Sequence, residues 1–176
     1  MMGRRNVCLV LAAVMILGSC APKGVEEVTP SGAPGITEYE GSDADLDLVS
    51  GQTIFVPAYS EIFLSGGSKV SLSPSIAIHN AASSESLVLQ SVRHYDTHGK
   101  LVKEYVEQPL QLAPLATKVF LVERPGEGAG AGANFIVEWA AHKAIYEPVI
   151  EAVMVGSAGT HGFSLISPGR VMKQHE

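Results

Sequence analysis

Three groups of residues in this chain are of types that can do chemistry. His94, Asp96 and His98 stand at alternate positions in His94-Tyr95-Asp96-Thr97-His98. On a straight strand alternate side chains share a face, and two imidazoles with a carboxylate would suit zinc. Yet Asp96 also opens Asp96-Thr97-His98-Gly99, where an Asp that bonds its own backbone and a Gly free to take positive φ form a tight turn. Bending there separates the three side chains, so these residues are read as a turn and no metal site is assigned. Glu138 and Glu151 are the second group. If 134–141 and 148–155 form one antiparallel hairpin around Lys143-Ala144-Ile145-Tyr146, the two carboxylates face each other across it. Facing carboxylates repel or, if buried, share a proton as catalytic dyads do. They make a candidate functional face, for a cation or for hydrolase or transferase chemistry. The inward alternation of Phe135, Val137 and Trp139 argues instead for a solvated outer face, with Arg93 or Arg170 nearby. The third group is Gly126, Gly128, Gly130 and Gly132. A phosphate cradle needs a helix N-terminus or a following basic residue, and here a strand follows. Gly128, Gly130, Gly132 and Asn134 are therefore read as a candidate binding loop between strands. Gly-x-Ser-x-Gly, Ser-x-x-Lys and His-Glu-x-x-His are all missing, so no catalytic residue is assigned and no cofactor is implied.

The N-terminus has an export pattern. Arg4 and Arg5 precede an apolar run, Val7 and Cys8 followed by Leu9 through Leu17, which is of signal-peptide length and short for a spanning helix. It ends in Leu17-Gly18-Ser19-Cys20, which resembles the lipobox of bacterial lipoproteins: small residues fit the signal peptidase, and the Cys20 thiol accepts a diacylglycerol. Residues 1–19 are thus expected to be a cleaved signal peptide and Cys20 the lipidation site. With Cys8 removed and Cys20 acylated, the mature chain has no thiol left for a disulfide, zinc or nucleophilic catalysis. A multi-chain lipid anchor holds far better than a single acyl chain. Ala21, in place of the Asp that favours inner-membrane retention, leans towards the outer membrane, with the domain facing the periplasm or the exterior.

Residues 20–48 are expected to be a lipidated, disordered acidic tether. Between Ala21 and Ser50 seven acids accompany Lys23 alone, interspersed with Pro and Gly and few large apolar groups. As a flexible coil, such a stretch reaches about 30 Å on average. From Gly51 on, eleven acids face nine bases, so the domain is near neutral and has no basic stripe for nucleic acid.

Residues 49–170 are expected to form one domain, with 171–176 a tail. Gln52–Pro57 is rich in β-formers and closes on a Pro suited to a strand end. Val70, Leu72, Ile76 and Ile78 alternate with small polar residues, with a bulge or sheet switch expected at Pro74. Leu87–Tyr95 is a strand whose alternation slips at Gln90-Ser91, and Leu101–Val106 returns from the Asp96 turn. Leu110–Leu112, Thr117–Val122, Phe135–Trp139, Val149–Val155 and Phe163–Ile166 follow. Seven or eight short strands, no amphipathic helix and one candidate buried Trp indicate an all-β fold. It is read as a single β-sandwich of immunoglobulin-like or fibronectin-like arrangement, with a barrel as runner-up.

Several runs resemble an uncharacterised bacterial lipoprotein family, domain of unknown function 3124: Gly51–Ser60, Ile76–Asn80, Tyr95–Val102, Gly132–Trp139 and Glu147–Met154. The resemblance implies a fold and a cell-envelope location, and supplies no site residue. The sequence is therefore read as a lipid-anchored envelope protein with a non-enzymatic binding or adaptor domain. Its partners would be the membrane, through Cys20, and an envelope protein or small ligand. A carboxylate enzyme and a purely structural envelope protein are the alternatives.

Overall fold

The computed structural model describes residues 33–41, 49–122 and 129–175. Among them are twelve strands and no α-helix. The strands form two antiparallel sheets packed face to face, the β-sandwich expected from the alternating sequence.

The first sheet is built on β5 (Leu87–Tyr95), β9 (Asn134–Ala141) and β2 (Ser50–Pro57), neighbours in that order. On β9 the inward side chains are Phe135, Val137 and Trp139, and β2 contributes Ile54 and Val56. The second sheet is built on β4 (Lys69–His79) and β10 (Val149–Ala158), which direct Leu72, Ile76, Ile78, Ile150, Ala152 and Met154 at them. Each Val, Leu, Ile, Phe or Met among these, taken fully out of water, contributes about 1.5–3 kcal/mol. The register slip expected at Gln90-Ser91 is a bulge: pairing of β5 with β9 shifts between Leu89 and Ser91. That shift keeps Leu87 and Leu89 before it, and Val92 and His94 after it, all buried.

Pro74 lies within an unbroken β4 and marks a change of partner. Before it β4 pairs with β3 (Glu61–Phe63), and after it with β8 (Thr117–Leu121). The Val122 amide donates to the Pro74 carbonyl at 3.0 Å, while the proline has no N–H to return. A missing donor is tolerated at such a joint.

Asn80, just past the end of β4, ties three loops. Its amide nitrogen lies within hydrogen-bonding distance of the carbonyls of Glu85 (2.8 Å), Ala113 (3.0 Å) and Leu112 (3.1 Å). Its side-chain oxygen accepts from the Ala82 amide. The side chain is 2 % exposed, so these partners replace water for groups that need one.

The domain is larger than the sequence pattern indicates. Within the stretch read as a tether, β1 (Ile36–Glu38) adds to β7 (Leu110–Leu112), and Ile36 is buried. A lone isoleucine among prolines and acids gives no periodicity, yet one buried side chain and a ladder suffice on an existing edge. The stretch read as a tail is β12 (Arg170–His175), which pairs with β2, and the His175 ring is 2.9 Å from the Thr53 hydroxyl. The turn at Asp96 leads, as expected, into β6 (Leu101–Glu104), which pairs with β5. The last strand of the second sheet, β11 (His161–Pro168), pairs with β10, and the chain turns at Gly169 from one sheet to the other. A Cβ on Gly169 would lie 2.6 Å from Ile54 Cγ2 and 3.0 Å from the Ile150 carbonyl, so this corner requires glycine.

Candidate functional site

The hairpin that would oppose Glu138 and Glu151 does not form. β9 pairs with β2 and β5, and β10 pairs with β4 and β11. The two carboxylates therefore stand on the outer faces of different sheets. The hairpin expectation assumed that neighbours in sequence pair, whereas here the chain crosses between sheets at 142–148. Glu138 sits beside Arg93: Nη2 of Arg93 is 2.8 Å from its Oε2, and the Ser91 hydroxyl donates to the same oxygen at 2.6 Å. That arrangement matches the alternative of a partnered outer-face carboxylate.

His94, Asp96 and His98 also separate, and among the described residues no cluster of three or more metal-ligating side chains occurs. Asp96 Oδ1 accepts from the backbone amides of His98 and Lys100, both at 2.8 Å. Those bonds, that from Lys100 foremost, hold its carboxyl below the usual range. His94 points inward, 1 % exposed, with its ring stacked on Phe135 at 4.7 Å. Its Nε2 has no hydrogen-bond partner, and burial pushes its pKa down against the opposing pull of Asp96.

Of the glycine loop, Gly128 lies outside the described residues, as does Cys20. Gly130, Gly132 and Asn134 are held against the Asp96 turn. The Thr97 amide and hydroxyl both donate to the Ala129 carbonyl, and the Gly132 amide donates to Thr97 Oγ1. The Gly130 carbonyl accepts from the Ser60 amide and hydroxyl, and Asn134 Nδ2 donates to the Gly132 carbonyl. This pinned loop borders an open cleft of about 440 Å³ with Glu61, Phe63 and His98 on its walls. The Gly132 amide, which a phosphate would need, is already engaged.

The feature that sequence reasoning missed is the outer face of the second sheet. Its cross-strand rows read Leu121–Ser75–Val153–Ile166, then Ser73–Val155–Ser164, then Val119–Ala77–Glu151–Pro168. Val149, Val155 and Ile166 are 51, 50 and 64 % exposed. A signal was present: Val149-Ile150-Glu151-Ala152-Val153-Met154-Val155 is apolar at both alternations except at Glu151, close to the composition of a strand covered on both faces. Among the described residues only its inner face is covered. These apolar side chains share the face with Ser73, Ser75, Ser164 and Glu151. At one end of this face, Lys69, Ser71, Ser73 and Ser157 line a polar cleft of about 600 Å³.

A search of curated proteins finds no match. A crystal structure described as Thermotoga maritima 1070 superimposes with a TM-score of 0.44 at 12 % identity, covering 68 % of this chain and 92 % of that one. The family model described as a protein of unknown function, DUF3124, matches residues 51–172, which run from β2 into β12. The chain belongs to the DUF3124 family.

Proposed function

We propose that this protein is a lipid-anchored module of the bacterial cell envelope whose β-sandwich binds another envelope protein through the outer face of its second sheet. The observation that carries the binding is the uncovered apolar group of Val149, Val153, Val155, Leu121 and Ile166. Covering such a surface returns about 25 cal/mol for each Å² of apolar area removed from water. The anchor rests on the sequence: a charged start, an apolar run and Leu17-Gly18-Ser19-Cys20. The acidic stretch that follows would be repelled by anionic lipid headgroups and hold the domain away from them. Ala21 favours the outer membrane.

Two measurements test this. Metabolic labelling with an alkyne fatty acid should mark the wild-type chain and not Cys20→Ser, which should leave the membrane fraction. In-cell crosslinking of the tagged protein should capture one envelope protein at near-stoichiometric yield, and Val155→Asp should abolish that capture while the protein remains folded. Equal capture by Val155→Asp would sink the assignment of the face. An unlabelled wild-type Cys20 would sink the anchor.

A further inference from the structure

β11 ends the second sheet, and among the described residues no strand pairs with its other side. Its ladder phase can be worked out. The Gly169 amide donates to the Ile150 carbonyl at 2.8 Å, in line with the register that pairs Glu151 with Pro168. In an antiparallel ladder hydrogen-bonded pairs alternate with non-bonded ones. Ser167, Leu165, Phe163 and His161 therefore direct their backbone groups at β10. Gly162, Ser164 and Ile166 direct N–H and C=O outward, and Pro168 adds a carbonyl alone.

Long free edges are normally blunted by charge, bulges or shortness. The edges at β12, β1 and β3 follow that rule. β12 carries Arg170 and Lys173 and a register break between Val171 and Lys173. β1 and β3 are three residues each, and the β3 edge bears the Glu61–Lys69 ion pair. β11 is eight residues long, its register with β10 is unbroken, and from Gly162 to Pro168 it has no charged side chain. The side chains of Ser164 and Ile166 lie on the same outer face as Val153 and Val155.

We propose that the β11 edge accepts an extended segment of the partner protein as an added antiparallel strand. Alternate apolar side chains of that segment continue the outer face, and a Lys or Arg opposite Pro168 reaches towards Glu151. This rests on the apolar-face reading above and names how the partner is held. Backbone pairing supplies the attachment, and the face supplies the selection. Glu151 is the one acid in the three cross-strand rows beside β11, so a cation on the incoming strand complements it. A second copy of this chain complements it poorly. The two-fold pairing that keeps Gly162, Ser164 and Ile166 in the ladder sets Ile166 against Gly162 of the second copy and brings no cation to Glu151. The chain's own residues 21–32 carry Glu26 and Glu27 against Lys23 alone, a net acidic segment for a face that already holds an acid.

The test uses the full chain in detergent and the peptide Lys-Thr-Val-Thr-Val-Thr-Val, labelled for fluorescence anisotropy. The valines face the outward groups of Ile166, Ser164 and Gly162, and the lysine lies opposite Pro168. Ser164→Pro removes an outward N–H that β10 does not use, so the fold should be kept, as its thermal unfolding would verify. The peptide should bind wild type and slow amide exchange at Gly162, Ser164 and Ile166. Methylating the amide nitrogens of the first two valines, or Ser164→Pro, should each weaken binding by about tenfold or more. Glu151→Lys should reverse the preference between this peptide and one with Glu in place of Lys. If the N-methylated peptide binds equally well and Val155→Asp still abolishes binding, strand addition is overturned while the apolar face stands. Absence of binding by the unmodified peptide also overturns strand addition. A dimer in sedimentation that Ser164→Pro dissociates would overturn the assignment to a different protein.

Discussion

Lowering the pH from 7.5 to 5.5 should destabilise this domain through His94. The imidazole is 1 % exposed, stacked on Phe135, with Nε2 unpaired. Burial disfavours its charged form more than Asp96 favours it, so its folded pKa lies below the ordinary value. The unfolded chain takes up this proton as the pH falls through about 6.5, and the folded chain does not. Between those two pKa values the unfolded state holds more protons, so stability falls as the pH falls. One such site contributes a slope of at most about 1.4 kcal/mol per pH unit. The contribution is absent above the unfolded value and stops growing below the folded one. Urea unfolding followed by fluorescence suits the measurement, because the single tryptophan, Trp139, is buried in the core. His94→Leu removes both the proton site and the unpaired nitrogen. The difference between wild type and variant should therefore fall towards lower pH, with wild type losing more than the variant by pH 5.5 and the excess bounded by that slope. Parallel pH dependences for the two proteins would refute a neutral, desolvated His94.

Asn80→Ala should cost about 3 kcal/mol or more in chemical denaturation, since it strands the Ala82 amide and removes a donor shared by three carbonyls. Glu138→Gln should cost only about 1 kcal/mol, because the pair with Arg93 is partly solvated. It should leave partner capture unchanged, whereas loss of capture would restore a functional role to this carboxylate. Gly51→Ala should lower stability by about 2 kcal/mol, because the new Cβ would sit 2.7 Å from the Trp139 carbonyl oxygen, which is held in the ladder. Thermal unfolding reads this directly.

Much of the sandwich is legible in alternation alone. Leu72, Ile76 and Ile78 on one strand and Phe135, Val137 and Trp139 on another repeat every second residue because strand side chains alternate between faces. The bulge at Gln90-Ser91 shows as a slip in that repeat, and the turn at Asp96 as its breaker chemistry. β1, β3 and β12 are not legible this way. Each is an edge strand with little or nothing to bury, and its stability comes from a ladder on a neighbour already in place.

The candidate sites divide along the same line. Residue types and spacing identified Asp96 as a turn former, because the bonds of that carboxylate reach only two and four residues along the chain. Glu138 and Glu151 could not be judged so, because local pattern records which face a residue occupies within its strand and not which strand lies beside it. Likewise the double alternation of Val149–Val155 is written in the sequence, but whether its second face is covered depends on what packs there. Sequence alone determined the periodicity and the turns, both set by interactions a few residues apart. Strand partners, the separation of the two carboxylates and the open edge of β11 were decided only by tertiary structure, since they depend on contacts between segments far apart in the chain.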